Sequence, residues 1–239
     1  MQNERSAGES EHARKVHEMF SRISPKYDFI NHFLSINIDK RWRKLVRKSL
    51  KEILNDKGAL VLDVACGTGD LSLELAKDSA ATVFGTDFCR PMLAVAATKN
   101  DSAVSIPYIE GDAMTLPFSD DSFDAVTIAF GLRNLSNWKD GLRELQRIIK
   151  PGGKLVILEF SEPVLPGFRQ VYQIYFNNIL PKLGGVFSGE QSAYQYLSDS
   201  VSKFPNQTKL KKMMSESGFS SVEYRNLTGG VAAIHTGIK

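Results

Sequence analysis

The stretch Asp63-Val-Ala-Cys-Gly67-Thr68-Gly69-Asp70 decides how this chain folds. Into it runs ALVLDVA (59–65), a short apolar segment that leans toward β, and out of it runs DLSLELAKD (70–78), with helical spacing. A strand that breaks into a glycine turn and then a helix is the start of a βαβ unit. Glycines at such a turn let a ligand approach the backbone without interference from Cβ atoms, at the sheet edge where these folds bind ligands. The rhythm repeats downstream. TVFGTD (82–87), IPYIEGDA (106–113), FDAVTIAFGL (123–132) and KLVILEF (154–160) read as strands two to five. PMLAVAATK (91–99), opened by Pro91, and WKDGLRELQRIIK (138–150) read as helices. Lys150-Pro151-Gly152-Gly153 reads as a helix stop and turn with a structural role. Strands alternating with helices of about ten residues predict a doubly wound, Rossmann-like α/β fold around a parallel sheet.

The flanks read differently. Residues 1 to about 12 are polar and are expected to fray, and 13–54 has a helical pattern. Within it Trp42, Leu45, Val46, Leu50, Ile53 and Leu54 form one amphipathic stripe, with a stop expected by Asn55 to Gly58. After Glu162 an aromatic-rich helical face is expected from Phe168, Tyr172, Tyr175, Phe176, Ile179 and Leu180, then a loop over 184–189 and a helix near 206–217. SVEYRNL and VAAIHTG, with only Thr228-Gly229-Gly230 between them, form a terminal hairpin and so an antiparallel piece of sheet.

Bulk properties narrow the class. The 239 residues suit one large α/β domain, and 42% hydrophobic with 24% charged residues is ordinary for a globular chain. A net charge of +3 gives no case for nucleic acid. Cys66 and Cys89 are too few for a disulfide framework and sit in no metal-ligand pattern, so no metal is expected. Neither a signal peptide nor a membrane span is read, and a cytoplasmic setting is expected.

Three acids stand on three consecutive strand ends. Asp63 is a poor neighbour for a pyrophosphate and suits a ligand with a cationic amine, such as the methionine end of S-adenosylmethionine, cradled by Gly67, Thr68 and Gly69. A dinucleotide fingerprint needs a third glycine where this chain has Ser72. Asp87, 18 residues past Gly69, is placed to accept both ribose hydroxyls, with Phe88 against adenine; the plainer reading is a helix cap. Asp112 is placed to accept from the adenine amino group, and Ala113 to offer its amide, with a simple turn as the alternative.

These motifs together resemble the class I S-adenosylmethionine-dependent methyltransferases over about 58–160. That resemblance implies a mostly parallel seven-stranded sheet with an antiparallel last strand and helices on both faces. It narrows further. Tyr27-Asp28-Phe-Ile-Asn31-His-Phe-Leu-Ser35 ending in Lys40-Arg41-Trp42, then Phe130-Gly131-Leu132-Arg133-Asn134, Arg147 through Ser161, and Gly230 to His235 resemble the ubiquinone/menaquinone-biosynthesis C-methyltransferases. Two departures stand out: Ile30, where that family usually has Met, and Asp39, where it often has His. The likeness implies one domain over 1–239, with a helical cap at 1–55, a cofactor core at 58–160, and a substrate cover with the hairpin at 161–239.

The family methylates a ring carbon of a prenylated quinol. Such a carbon becomes a good nucleophile once a neighbouring hydroxyl loses its proton, so the site needs a base or a cation beside the methyl. The resemblance assigns Arg133 to the developing oxyanion and Asn134 to orienting the ring; the competing reading pairs Arg133 with a surface carboxylate. Tyr27, Asp28 and Asn31 are expected on the opposite wall, with a helix-start and core role as the alternative, and His32 is read as structural. Pro166-Gly-Phe-Arg-Gln170 favours demethylmenaquinol over the benzoquinol of the ubiquinone pathway. Lys40, Arg41, Arg43, Lys44, Arg47, Lys48 and Lys51 share one helix and form either a solvated face or a weak footing on anionic lipid at the inner membrane face. A methyltransferase for another small molecule, a nicotinamide-dependent dehydrogenase and a non-catalytic cofactor-binding scaffold are the rival readings.

Overall fold

β1 (Leu60–Val64) lies at the centre of a seven-stranded sheet in the computed structural model, between β2 (Thr82–Asp87) and β4 (Phe123–Ala129), parallel to both. The described residues are 7–24, 27–28, 35, 37–101, 104–164 and 191–239. β3 (Tyr108–Glu110) forms one edge beside β2, and β5 (Ile149–Phe160) runs parallel to β4. β6 (Ser220–Leu227) and β7 (Ala232–Ile238) complete the order β3-β2-β1-β4-β5-β7-β6, with β7 antiparallel to both neighbours. The expected seven-stranded, mostly parallel sheet with a reversed last strand is therefore present. The chain reverses between β6 and β7 through Thr228–Gly230, where the hairpin was expected.

Period-two alternation sorts the strand side chains onto two faces. Leu62 and Val64 of β1, Val126 and Ile128 of β4, and Leu155 and Ile157 of β5 meet one cluster. It is completed by Leu142, Leu145 and Ile148 of α6 (Trp138–Ile148) and by Leu210 and Met214 of α8 (Gln207–Glu216). On the other face Val61, Ala125, Val156 and Leu158 meet Trp42 and Val46 of α2 (Ile38–Ser49), Leu50 at its C-cap, Leu54 of α3 (Lys51–Leu54), and Leu71 and Leu75 of α4 (Asp70–Ala76). Helices thus cover both faces, and the stripe from Trp42 to Leu54 is the buried face the spacing predicted.

Four expectations need correction. The first helix, α1 (Ala7–Ile23), begins well before residue 12, because Val16 and Met19 bury themselves and His12 bonds to a distant carbonyl. The pattern over 13–54 is not one helix: Ile23 ends α1, ahead of Pro25, whose ring disfavours α geometry in the residue before it. Asn37, at φ 58°, then re-aims the chain into α2. α6 stops at Ile148, and Lys150–Gly153 belongs to an extended, irregular start of β5 instead of a turn. The third strand is only three residues long, since it pairs with β2 alone. The segment 165–190, with its predicted aromatic face and Pro166–Gln170, lies outside the described residues, as do Asn31 and His32.

Candidate active site

The alternation that buries Val61 turns Asp63 to the same face of the sheet, toward α4. There Ser72 Oγ donates to one carboxylate oxygen at 2.7 Å, and Thr127 Oγ1 of β4 donates to the other at 2.8 Å. Ser72, which in sequence only argued against a dinucleotide site, is thus a direct partner of the carboxylate. Asp63 is 1% exposed, and that burial pushes it up to about 6 against the two hydroxyl bonds. The turn that follows is built on left-handed backbone: Gly67 has φ 56° and Gly69 φ 82°. A Cβ on Gly69 would also collide with the phenol oxygen of Tyr108 from β3, so the position is closed to larger residues twice over.

Asp87, the last residue of β2, reaches back across the sheet edge. Its Oδ2 accepts from Gly67 N and its Oδ1 from Cys89 N, each at 2.8 Å. One carboxylate therefore fixes both the glycine turn after β1 and the start of α5 (Arg90–Thr98). Burial raises it to about 6, with the bonds from Cys89 N and Gly67 N pulling the other way. Phe88 is half-buried and meets the ring of His17 edge-on at 5.6 Å. Asp112 closes a tight turn through Oδ1, accepting from Met114 N at 2.9 Å.

These strand ends surround a cavity of about 750 Å³, part of it open to solvent. Gly67, Asp87, Phe88, Asp112, Ala113 and Asn134 all line it, drawn from four strand ends. Helix α1 roofs it with Ala13 and Phe20, and Tyr27 stands at its border with a second cavity. That smaller, adjoining cavity is lined by Asp63, Gly67, Thr68 and Asp70, with Arg43 facing them. Of the expected cofactor residues, all but Gly69 line these two adjoining hollows at one edge of the sheet, and Gly69 packs against Tyr108 behind them.

Other predicted residues stand elsewhere. Asp28 takes the Thr68 hydroxyl on one oxygen and Lys99 Nζ, at 2.6 Å, on the other; it borders neither cavity and braces the glycine turn. Lys99 also bonds Asp70 at 2.7 Å, so one lysine ties α5 to α4. Asp39, one of the two departures from the family pattern, is buried and pairs with Arg43, while Ser35 donates to it. Arg43 is therefore part of the interior, and Arg47 reaches the Lys77 carbonyl; of the basic run, Lys40, Arg41, Lys44, Lys48 and Lys51 remain exposed.

Arg133 follows β4 in a short 3-10 turn (Leu132–Asn134) and is 8% exposed. Its partner is not a surface carboxylate. Nη1 donates to Glu159 of β5 at 2.9 Å and to the Phe130 carbonyl, and the guanidinium lies 5.4 Å from the Phe160 ring centroid. Glu159 is 1% exposed and its pKa is raised by burial, with the Arg133 charge pulling the other way. Asn134, one residue on, faces the cavity that Arg133 does not line. Sequence reading quoted Glu159 within a signature and gave it no role; His12 and Tyr196, which both bond Asn134, it missed altogether. Only the pairing of elements far apart in the chain reveals them.

Comparison with known proteins agrees with this geometry. The chain is 48% identical over 221 residues to a demethylmenaquinone methyltransferase of Thermus thermophilus, covering 92% of this chain and 99% of that one. It is 44% identical over 227 residues to a demethylmenaquinone methyltransferase of Staphylococcus saprophyticus, covering 94% and 96%. Among solved structures, a SAM-dependent methyltransferase of Thermotoga maritima shares the fold at a TM-score of 0.67 and 16% identity, over 93% of this chain and 98% of that one. A family model matches residues 8–239, so the cavity at the ends of β1, β2, β3 and β4 sits in a chain that belongs to the ubiE/COQ5 methyltransferase family.

Proposed function

We propose that this chain moves a methyl group from S-adenosylmethionine to a ring carbon of a prenylated quinol, converting demethylmenaquinol to menaquinol. The observation that carries the reading is 44–48% identity, along more than nine-tenths of the chain, to two demethylmenaquinone methyltransferases. The residues fit the cofactor: a buried carboxylate faces each hollow, and Gly67, which lines both, leaves space between them that a Cβ would enter. Asp63, Gly67, Thr68 and Gly69 would hold the methionine end, Asp87 the ribose, and Phe88, Asp112 and Ala113 the adenine.

S-adenosylmethionine supplies, when bound, an electrophilic methyl on a sulfonium. Asn134 orients the quinol at the cavity wall, and Tyr27 bounds the opposite side. Arg133 stands one residue behind Asn134, lines neither cavity and is paired with Glu159, so its part in favouring the negative charge that grows on the quinol oxygen runs through the turn that presents Asn134. Helix α1, which roofs the cavity, keeps water from that charge, within a single domain. No helix among the described residues is long and apolar enough to cross a membrane. The five exposed cations of α2 and α3 serve as a footing on anionic lipid, where a prenyl-tailed quinol resides.

The test is incubation of the purified chain with S-adenosylmethionine and a short-chain demethylmenaquinol under reducing conditions, followed by mass spectrometry. Replacement of one ring hydrogen by methyl is expected. Cofactor binding without transfer to this quinol, or to the matching benzoquinol assayed beside it, would overturn the substrate in favour of a scaffold. Transfer to the benzoquinol alone would move the reaction to the other quinone class.

A further inference from the structure

Asn134 is held from three sides. Its side-chain oxygen accepts from the Tyr196 hydroxyl of α7 (Gln191–Lys203) at 3.1 Å, and its Nδ2 donates to the Phe130 carbonyl at 3.2 Å. Its backbone carbonyl lies 3.1 Å from Nε2 of His12 in α1. The His12 and Tyr196 rings stand 6.5 Å apart, so α1 and α7 meet over the turn that follows β4. Nothing in the sequence marked either residue.

We propose that Tyr196 is a positioning residue for methyl transfer, acting through the side-chain amide of Asn134. An amide has two nearly isosteric ends, one accepting and one donating, and its last torsion is broadly twofold. The bond to Phe130 favours the amino end toward the loop. A phenol hydroxyl both donates and accepts, so it does not choose between the ends; with the amino end committed to Phe130, it donates to the oxygen end and pins the amide on its α7 side. The two bonds together fix the side-chain torsion and leave one Nδ2 hydrogen directed away from these partners, for a quinol oxygen. Without the hydroxyl the amide keeps its bond to Phe130 but swings about it, and its Nδ2 hydrogen meets the quinolate that must form in fewer of its orientations. The inference rests on the role proposed above for Asn134. Burial also pushes the Tyr196 phenol up, so it remains a donor across the range in which the enzyme would be assayed.

The test is a double-mutant cycle on the full chain with a short-chain demethylmenaquinol: Tyr196→Phe, Asn134→Ala and both together, with kcat, KM, cofactor affinity and melting temperature for each. Tyr196→Phe keeps the ring and is expected to lower kcat by about tenfold, the size of one lost hydrogen bond. KM and cofactor affinity should stay within about twofold, within the scatter of a single weak contact. In the Asn134→Ala background the Tyr196→Phe loss should vanish, because the group it positions is gone. Losses that multiply in the double variant, or a Tyr196→Phe effect confined to KM, would overturn positioning. So would normal turnover in Tyr196→Phe beside a slow Asn134→Ala, and that result would leave the role of Asn134 standing. Normal turnover in Asn134→Ala would remove both, and no transfer by the unmodified chain would instead strike the choice of substrate.

Discussion

Arg133 and Glu159 form a buried ion pair that joins the turn after β4 to the end of β5, with 2.9 Å between Nη1 and Oε1. Glu159 Oε2 also accepts from the Arg133 backbone N–H at 3.3 Å, and Oε1 from Phe160 N at 2.8 Å. The carboxylate thus holds three donors at the point where β4 leaves the sheet, and the position of Asn134 depends on it.

A first consequence concerns truncation of that pair. Arg133→Ala leaves a buried carboxylate without its cation, a loss of about 3–5 kcal/mol in comparable pairs. Arg133→Ala and Glu159→Ala should both melt well below the parent, while Arg133→Met with Glu159→Gln recovers much of the loss. Urea unfolding of the four proteins checks this, and equal midpoints would show that the pair bears no structural weight.

Asp63 predicts a pH dependence. Its folded value, about 6, lies above the ordinary 3.8, so the folded chain holds this proton more tightly than the unfolded one. The stabilising contribution of the protonated form is complete below about pH 4 and is lost as pH rises through 6. Asp63→Asn cannot ionise, so its stability relative to the parent should climb by about 3 kcal/mol between pH 4 and 7. Cofactor affinity should move oppositely: it rises with pH through 6 in the parent, where the carboxylate charges, and stays weak in Asp63→Asn. Unfolding and calorimetric series at matched pH read both, and parallel stability curves would refute the assignment.

Asp87 does two jobs at once, and its substitution should show both. Asp87→Ala removes the acceptor of Gly67 N and Cys89 N as well as the proposed ribose ligand. Each buried N–H left without a partner costs about 1–3 kcal/mol. The expected outcome is lower stability before any cofactor is added, together with weaker cofactor binding. If calorimetry on folded protein finds affinity unchanged, the ribose assignment fails even though the stability loss stands.

The lipid footing rests on charges that face outward. Lys40→Glu, Lys44→Glu and Lys48→Glu combined should weaken binding to vesicles rich in anionic lipid by at least about 3 kcal/mol, near 1 kcal/mol per cation removed. Raised salt should release the parent from the same vesicles. Co-sedimentation is the readout; binding that ignores both charge and salt returns the helix face to plain solvation.

The βαβ rhythm was legible because each strand and helix carries its own periodicity. β2 ends at Asp87, and β1 falls within one residue of each expected end. The cofactor residues were legible for the same reason, since an acid at a strand end is a local pattern. What could not be read is whatever depends on partners far away. His12 meets Asn134 across 122 residues and Tyr196 meets it across 62, and neither separation leaves a trace in local spacing. The seven-residue basic run misled in part for a related reason. Helical spacing alone gave every cation the same standing, whereas Asp39 and Asp70 draw Arg43 into the interior.

The place of β7, inserted between β5 and β6, divides the sheet into two regions of different permanence. Among the described residues β6 pairs with β7 alone, and β7 joins the parallel strands along Lys154–Phe160. Fraying that starts at the β6 edge can therefore proceed inward while β3-β2-β1-β4, whose ends form the cavity, stay paired. Amide protons of β6 should then exchange with solvent through small openings that leave the cavity intact, so a bound ligand slows exchange at β1 and β2 far more than at β6. The same strand order makes one margin of the molecule free to open and close while the other holds its ligand.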